Sequence, residues 1–173
     1  MDLIKEIVIP NPPTTYTIPY KKPKFDKNNK KIEKQVYYLT ANLFFGNQIS
    51  YHIVYKITDS CKQFLYPFLK GLPEIEKMDV DFFYYKPEHI DLDNKLFFWK
   101  KLIFDILKTP TPKQIKNAQE RKKEIITTNT IPDDNTKVIC NVSEHFELGE
   151  HRMVIKIYGR IKSTQVEMPL FFK

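Results

Sequence analysis

The chain has 173 residues, which is the size of one ordinary domain and enough to bury a hydrophobic core. Its 28 Lys and Arg residues outnumber its 21 Asp and Glu residues, so the net charge of +7 favours a polyanionic partner such as nucleic acid, although a solvated surface would also account for it. Cys61 and Cys140 are too few and too dispersed for a disulfide framework or a zinc cluster, so we expect both to be reduced core residues. No uncharged apolar run approaches about 18 residues, so we expect a soluble, cytoplasmic protein with no membrane partner and no organic cofactor.

The amino-terminal part predicts a strand and a lysine-rich turn. Alternating residues favour a strand from Leu3 to Ile9, which ends at the proline-rich stretch from Pro10 to Pro13. The segment from Lys21 to Lys34 holds seven lysines against two acidic residues, and it predicts a hairpin tip or loop. This segment is either a phosphate-contacting arm or a solvated turn. A returning strand is predicted from Gln35 to Thr40.

The next stretch has a mixed periodicity. Residues from Ile49 to Ile57 alternate like a strand, whereas the residues after Asp59 repeat at helical spacing. We therefore predict a helix for at least Asp59 to Lys70, with Thr58 as its possible cap. A strand follows from Met78 to Lys86, and it leads directly to an acidic motif.

Two helices of different character follow that motif. The predicted helix from Lys95 to Lys108 is apolar nearly all round, so it must be covered either by its own domain or by a second subunit. Thr111, Pro112 and Gln114 form a capping-box signature for a second helix that extends to about Ile126. This second helix is basic, and it would either grip a phosphate backbone or form a solvated lid.

The carboxyl-terminal part predicts two further strands, Lys137 to Val142 and Met153 to Tyr158, joined as a hairpin. A tail with Val166 and the residues from Leu170 to Phe172 would be consistent with an edge strand.

The acidic motif suggests a metal site. Asp91 and Asp93 are two positions apart, so in extended backbone their side chains project to the same side. If the turn at Asp133 and Asp134 lies beside them, the clustered carboxylates require protons or a divalent cation to offset their repulsion. Magnesium is the natural candidate because it prefers oxygen ligands and keeps part of its shell for water and phosphate; Mn²⁺ is a possible substitute.

Three ordered motifs carry a resemblance to a known family. They are D-x-D-N at Asp91 to Asn94, K-x-x-F-D-x-L at Lys101 to Leu107, and an Asp133-Asp134 turn within the segment from Ile131 to Val138. Together they resemble the RusA family of Holliday junction resolvases over roughly residues 78–158. The ordered combination is more specific than any single motif.

The resemblance implies a magnesium-dependent endonuclease that acts as a homodimer and nicks two strands of a four-way DNA junction symmetrically. It assigns the metal-binding carboxylates to Asp91, Asp93 and Asp134, and the functional lysine to Lys101. The stretch from Asn94 to Phe104 is about one helical turn longer than the family pattern, which leaves Lys100 or Lys95 as substitutes.

Two further residues beside the motifs have two interpretations each. Asn94 either orients a metal ligand or caps the helix, and Asp133 either supports a metal ligand or is an ordinary turn residue.

The elements and the resemblance together predict an α+β fold. We expect a single RusA-like nuclease domain over residues 1–173, with a small mixed sheet packed against helices and a basic insertion at about 109–130.

Two other function classes remain open. One is a non-catalytic protein that binds branched DNA, and the other is a nuclease for other branched or single-stranded nucleic acid. The set of carboxylates argues against the first class, and cleavage assays with and without magnesium would separate all three.

Overall fold

The computed structural model describes residues 2–45, 49–86, 92–131 and 140–162, with the backbone alone described at 92, 93 and 140. Its elements in chain order are β1 (Asp2–Pro10), β2 (Thr15–Phe25), β3 (Lys31–Tyr38), α1 (Asn42–Phe45), α2 (Tyr51–Leu69), β4 (Ile75–Tyr85), α3 (Leu92–Leu107), α4 (Pro112–Glu120), β5 (Cys140–Glu147) and β6 (Arg152–Ile161).

Four of the strands form one mixed sheet in the order β1-β6-β4-β5. β6 is antiparallel to both β1 and β4, whereas β5 is parallel to β4. β2 and β3 form a separate antiparallel pair. The predicted α+β class with a small mixed sheet is therefore confirmed.

Strand β4 lies inside the sheet and carries much of the core. Met78, Val80, Phe82 and Tyr84 are buried, while the intervening side chains are partly exposed. This period of two is the alternation expected of a strand with one face on the core. The predicted strand from Met78 to Lys86 is confirmed.

Helix α3 packs its apolar side chains within its own domain. Its buried residues are Leu96, Phe98, Trp99, Leu102, Ile103, Ile106 and Leu107. Aromatic rings from three other elements contact it: Phe44 lies 5.4 Å from Phe98, Phe64 lies 6.0 Å from Trp99, and Phe82 of β4 lies 5.9 Å from Phe104, measured between ring centroids. Since the domain itself covers these residues, the apolar character of α3 is no separate argument for a second subunit.

The strand interpretation of the stretch from Ile49 to Ile57 is wrong. α2 begins at Tyr51, and the Ser50 hydroxyl accepts a hydrogen bond from the Ile53 amide, 3.4 Å away. Thr58 is not the cap, because it lies inside the helix and its hydroxyl donates to the Tyr55 carbonyl. The buried residues of α2 are Ile57, Cys61, Leu65 and Leu69, which recur every fourth position along one face.

Cys61 is a reduced core residue, as predicted. It forms no disulfide, and burial raises the pKa of its thiol to about 12. The side chain of Cys140 lies outside the described residues.

The predicted hairpin of the last two strands is also wrong. β5 and β6 both pair with β4, which lies between them. The connection at 148–151 therefore crosses the end of β4, where a Cβ placed on Gly149 would lie 3.3 Å from Cδ1 of Tyr85. Sequence proximity favours direct pairing, but the parallel register of β5 with β4 prevails.

The lysine-rich segment forms the outer part of the β2 and β3 hairpin, so its hairpin prediction is confirmed.

The capping box of α4 is also confirmed, because the Gln114 amide donates to the Thr111 hydroxyl and the Thr111 amide donates to the Gln114 side chain. α4 nevertheless ends at Glu120, short of Ile126, and Lys122 has a positive φ of 54° that does not continue a helix. The tail at 163–173, with Val166 and the stretch from Leu170 to Phe172, lies outside the described residues.

Among the helices in the described part of the chain, none is long and apolar enough to cross a membrane.

We predict that Gly159→Ala lowers the free energy of unfolding by about 1–3 kcal/mol, because an added methyl group must force packed backbone apart. A Cβ at this position would lie 2.0 Å from the Lys77 carbonyl oxygen, which is backbone and cannot rotate away. Urea denaturation measures the change. Gly149→Ala is the matched control, since its Cβ meets only the Tyr85 side chain; an equal loss in both variants would contradict the prediction.

Candidate functional site

The predicted metal ligands lie largely outside the described residues. This is the case for Asp91 and Asp134, while Asp93 belongs to the first turn of α3 without a described side chain. Asp133, the candidate supporting residue, also lies outside the described residues. Asn94 is exposed, and its carbonyl accepts a hydrogen bond from the Ala41 amide, 2.9 Å away. Within the ranges that the structure describes, no three His, Cys, Asp or Glu side chains are grouped so that they could hold a metal.

The first turn of α3 lies near the carboxyl end of β4. We define the "β4 carboxyl edge" by three cationic residues: Lys86 directly after β4, Lys95 in the start of α3, and Arg152 at the start of β6. The charges of Lys86 and Lys95 both lower the pKa of His151, which lies in the turn before β6. The connection that joins β5 to β6 closes this edge, where the Lys86 amide donates to the Glu147 carbonyl.

A partly buried hydrogen-bond network, formed by His151, Tyr84 and Asn11, supports the β4 carboxyl edge. Nε2 of His151 lies 2.8 Å from the Tyr84 hydroxyl, and Nδ1 lies 3.1 Å from Oδ1 of Asn11. The amide oxygen can only accept, so Nδ1 carries the proton and Nε2 accepts from Tyr84. Asn11 also has its backbone amide bonded to the His151 carbonyl, which ties the end of β1 to the turn before β6.

The network favours a neutral imidazole. Burial lowers the pKa of His151, and the nearby charges of Lys86 and Lys95 lower it further. Burial also raises the pKa of Tyr84 to about 12, so its hydroxyl stays protonated.

Arg152 is held at the edge by an aromatic ring. Its guanidinium lies 4.3 Å from the ring centroid of Tyr85, in cation–π geometry. Its buried Nε has no hydrogen-bond partner within the described residues. The cation is therefore positioned by stacking, without a described carboxylate to neutralise it.

The three candidate lysines of α3 point to different surroundings. Lys100 forms an ion pair with Glu144 of β5. Lys101 forms one with Asp105, 3.1 Å away, and its ammonium lies 5.1 Å from the Phe44 ring centroid. Since Lys101 is eight positions from Asp93, the helical rise separates the two by about 12 Å along the axis, whereas Lys95 is displaced by only about 3 Å.

Lys101 lines a polar groove of about 670 Å³ between α2, the end of α3 and the α4 segment. Its cationic side chains are Lys62, Lys101, Lys108, Arg121 and Lys123, and its acidic ones are Asp59, Asp105 and Glu124. Several of these charges neutralise one another: Asp105 is paired with both Lys62 and Lys101.

The basic insertion is anchored to the domain at its far end. Thr128 donates its amide to the Ile106 carbonyl, and Ile131 exchanges backbone hydrogen bonds with Leu107 and Thr109 at the end of α3. Lys123 lies over the Tyr55 ring, 4.0 Å from its centroid, while Lys113 and Lys116 are exposed. The insertion thus covers one side of the groove and also presents charge to solvent.

The residues that sequence analysis missed are Asn11, Tyr84, His151 and Arg152. Asn11 is 140 positions from His151, so no local pattern relates them. Only the antiparallel register of β1 with β6, in which Pro10 pairs with Arg152, brings them together. Sequence periodicity predicts the strands but not which strands are neighbours.

Comparison with known proteins gives no match: no protein-family model, no curated protein and no solved structure is significantly similar to this chain.

We predict that the fold loses stability as the pH falls below the ordinary histidine pKa of 6.5, because the folded-state pKa of His151 is lowered. The contribution of His151 to the free energy of unfolding is complete above pH 6.5, and it is lost as the pH falls through the pKa of the folded state. Thermal unfolding at about pH 7.5 and about pH 5.5 compares the stability on the two sides of the ordinary histidine pKa. The difference in Tm should shrink in His151→Gln and persist in His52→Gln, which removes an exposed histidine of α2; equal differences in all three proteins would refute the assignment.

Proposed function

We propose that the protein is a magnesium-dependent, structure-selective endonuclease that resolves four-way DNA junctions by paired nicks. The observation that supports it best is the position of the acidic motif. Asp93 and Asn94 open α3 beside the β4 carboxyl edge, where Lys86, Lys95 and Arg152 concentrate positive charge. A residue whose carboxylate suits a metal, next to cations that suit phosphate, is a combination that metal-dependent phosphodiester hydrolysis can use.

The proposed ligands are Asp91, Asp93 and Asp134. Carboxylate oxygens suit Mg²⁺, which when bound would polarise the scissile phosphate and lower the pKa of a bound water. The cations of the edge would attract the DNA backbone and offset negative charge as it develops. Asn94, in the first turn of α3, would orient a neighbouring carboxylate.

If Asp93 and Asp134 bind the same metal, the chain between Ile131 and Asp134 must span a long distance. Ile131 is bridged to Lys108, fifteen positions after Asp93, which corresponds to about 22 Å along the helix. Asp134 is three positions beyond Ile131, and three residues span at most about 11 Å. The proposal therefore requires residues 132–134 to extend toward the start of α3, and it requires the two carboxylate side chains with the metal between them to span the remaining distance of about 11 Å.

Cleavage assays on a four-way junction, a fork and a plain duplex, with and without Mg²⁺, test the function directly. Symmetric magnesium-dependent nicks on the junction alone support resolution. Cleavage of forks or single strands supports the broader nuclease, and tight junction binding without cleavage supports a branched-DNA-binding protein. Paired nicks require two active sites, which the proposed homodimer would supply.

We predict that Asp93→Asn lowers the cleavage rate by roughly a hundredfold or more, the scale expected when a partner of the transition-state charge is lost. Junction binding should remain equal or become tighter, because the amide removes repulsion of phosphate. Single-turnover cleavage measures the rate, and anisotropy in EDTA measures binding.

Asp81→Asn on β4 is the control for that variant, since it removes a partly exposed carboxylate outside the proposed ligand set. Full activity of Asp93→Asn would refute the site. If Asp134→Asn were fully active and Asp93→Asn inactive, Asp134 would not be a metal ligand. The metal would then be bound at the start of α3, without a contribution from residues 132–134.

We also predict that the functional lysine is Lys95 and not Lys101. Lys95 shares the β4 carboxyl edge with Lys86 and is displaced from Asp93 by only about 3 Å along the axis of α3, whereas Lys101 is displaced by about 12 Å. Lys95→Ala should lower the cleavage rate roughly tenfold or more, with partial rescue by Lys95→Arg, which restores the charge. Lys101→Ala should change the rate by about twofold or less; the reverse ranking would return the role to Lys101.

A further inference from the structure

We propose that the β2 and β3 hairpin is an arm that enters the major groove of duplex DNA, and this inference rests on the proposed DNA substrate. The hairpin is a two-stranded sheet of its own, separate from the main sheet. Only its base packs on the core, through Tyr16, Ile18 and Tyr37. Residues 21–36 are all exposed, so the outer part of the hairpin projects into solvent.

The arm carries most of the net charge of the protein. Its segment from Lys21 to Lys34 has seven lysines against Asp26 and Glu33, which is five of the seven net positive charges of the chain. A surface that only needed solvation would not require this concentration in 14 residues. A polyanion is the partner that matches it.

The two acidic residues of the arm are already engaged. The carboxylate of Asp26 accepts the amides of Asn28 and Lys30, each at 2.8 Å, and thereby fixes the turn. Glu33 lies 3.7 Å from the ammonium of Lys31. In the described part of the chain, Lys21, Lys22, Lys27, Lys30 and Lys34 form no ion pair and are available for phosphate.

The dimensions of the arm fit a DNA groove. The B-form major groove is about 12 Å wide and about 8.5 Å deep, and it admits a two-stranded ribbon. The exposed part of β3, from Lys31 to Val36, extends about 16 Å, which exceeds that depth. Between Pro19 and Lys24 the pairing is interrupted, which leaves three extra residues on β2 and increases the local twist.

An A-form duplex distinguishes groove entry from simple attraction to phosphate. The major groove of duplex RNA is deep and too narrow for side chains to enter. Since both duplexes carry the same phosphates, an arm that acts only through charge would not discriminate between them. An arm that enters the groove should prefer DNA.

The test is fluorescence anisotropy in EDTA with a plain DNA duplex and an RNA duplex of equal sequence and length. The arm variant combines Lys22→Gln, Lys27→Gln and Lys30→Gln, and the matched control combines Lys113→Gln, Lys116→Gln and Lys122→Gln in the exposed α4 segment. The arm variant should bind DNA roughly tenfold or more weakly, with a salt slope reduced by about 0.9 per lost phosphate contact. The α4 control should stay within about twofold of wild type, since its lysines lie outside the groove contact.

Three results would overturn the proposal. They are an equal loss of DNA affinity in the arm and α4 variants, an equal affinity of the wild type for the DNA and RNA duplexes, or a wild type that binds neither duplex. An arm carrying Lys22→Arg, Lys27→Arg and Lys30→Arg keeps the charge and should keep the affinity, which separates lost contacts from a disturbed hairpin.

The outcome is independent of catalysis, because EDTA removes the metal. Magnesium-dependent junction cleavage by a protein whose arm variant binds as tightly as wild type would refute the arm alone. Arm-dependent duplex binding without any cleavage would refute the nuclease and leave the arm.

Discussion

Strand β4 is held on both edges and on one face, and the positions of the other elements depend on it. It pairs antiparallel with β6 and parallel with β5, and its inner side chains are buried. Phe82 contacts Phe104 of α3, which packs the helix against the buried face of β4. Burying such an aromatic side chain stabilises the fold by about 1.5–3 kcal/mol, so the core supports the arrangement at the edge in addition to the hydrogen bonds there.

Sequence patterns predicted the elements in which one period dominates. Strand β4 and helix α3 have clean alternation or a long apolar run, and the capping box at Thr111 has a fixed spacing. The start of α2 was ambiguous because its tyrosines and isoleucines also alternate by two, whereas the helix predicted from Asp59 is confirmed. The helix wins there because Ile57 and Cys61 continue the buried face of Leu65 at a spacing of four.

Neighbour relations were harder to predict than elements, for a physical reason. The position of β4 between β5 and β6 depends on side chains that are far apart in sequence. The short connection from β5 to β6 would be equally compatible with a hairpin in which these two strands pair directly. The same limit applies to the candidate site. Sequence could name the carboxylates of the acidic motif, but the contact of His151 with Asn11 and Tyr84 exists only once β1, β4 and β6 are assembled. Of the proposed ligands, only Asp93 lies in a described element, and there only its backbone is described.

In the proposed nuclease, the distribution of charge would divide DNA affinity and catalysis between two parts of the molecule. The hairpin arm holds five of the seven net charges but is joined to the core only at its base, so it can contribute attraction without fixing a scissile phosphate. The β4 carboxyl edge has fewer cations, and these are positioned: Arg152 by the Tyr85 ring, and Lys86 directly after a central strand. Catalysis needs charges that are already in place when the transition state forms, because reorganising them would cost part of the stabilisation. His151 fills a polar site between Asn11 and Tyr84 next to these cations, and its lowered pKa favours the neutral form that adds no further positive charge there.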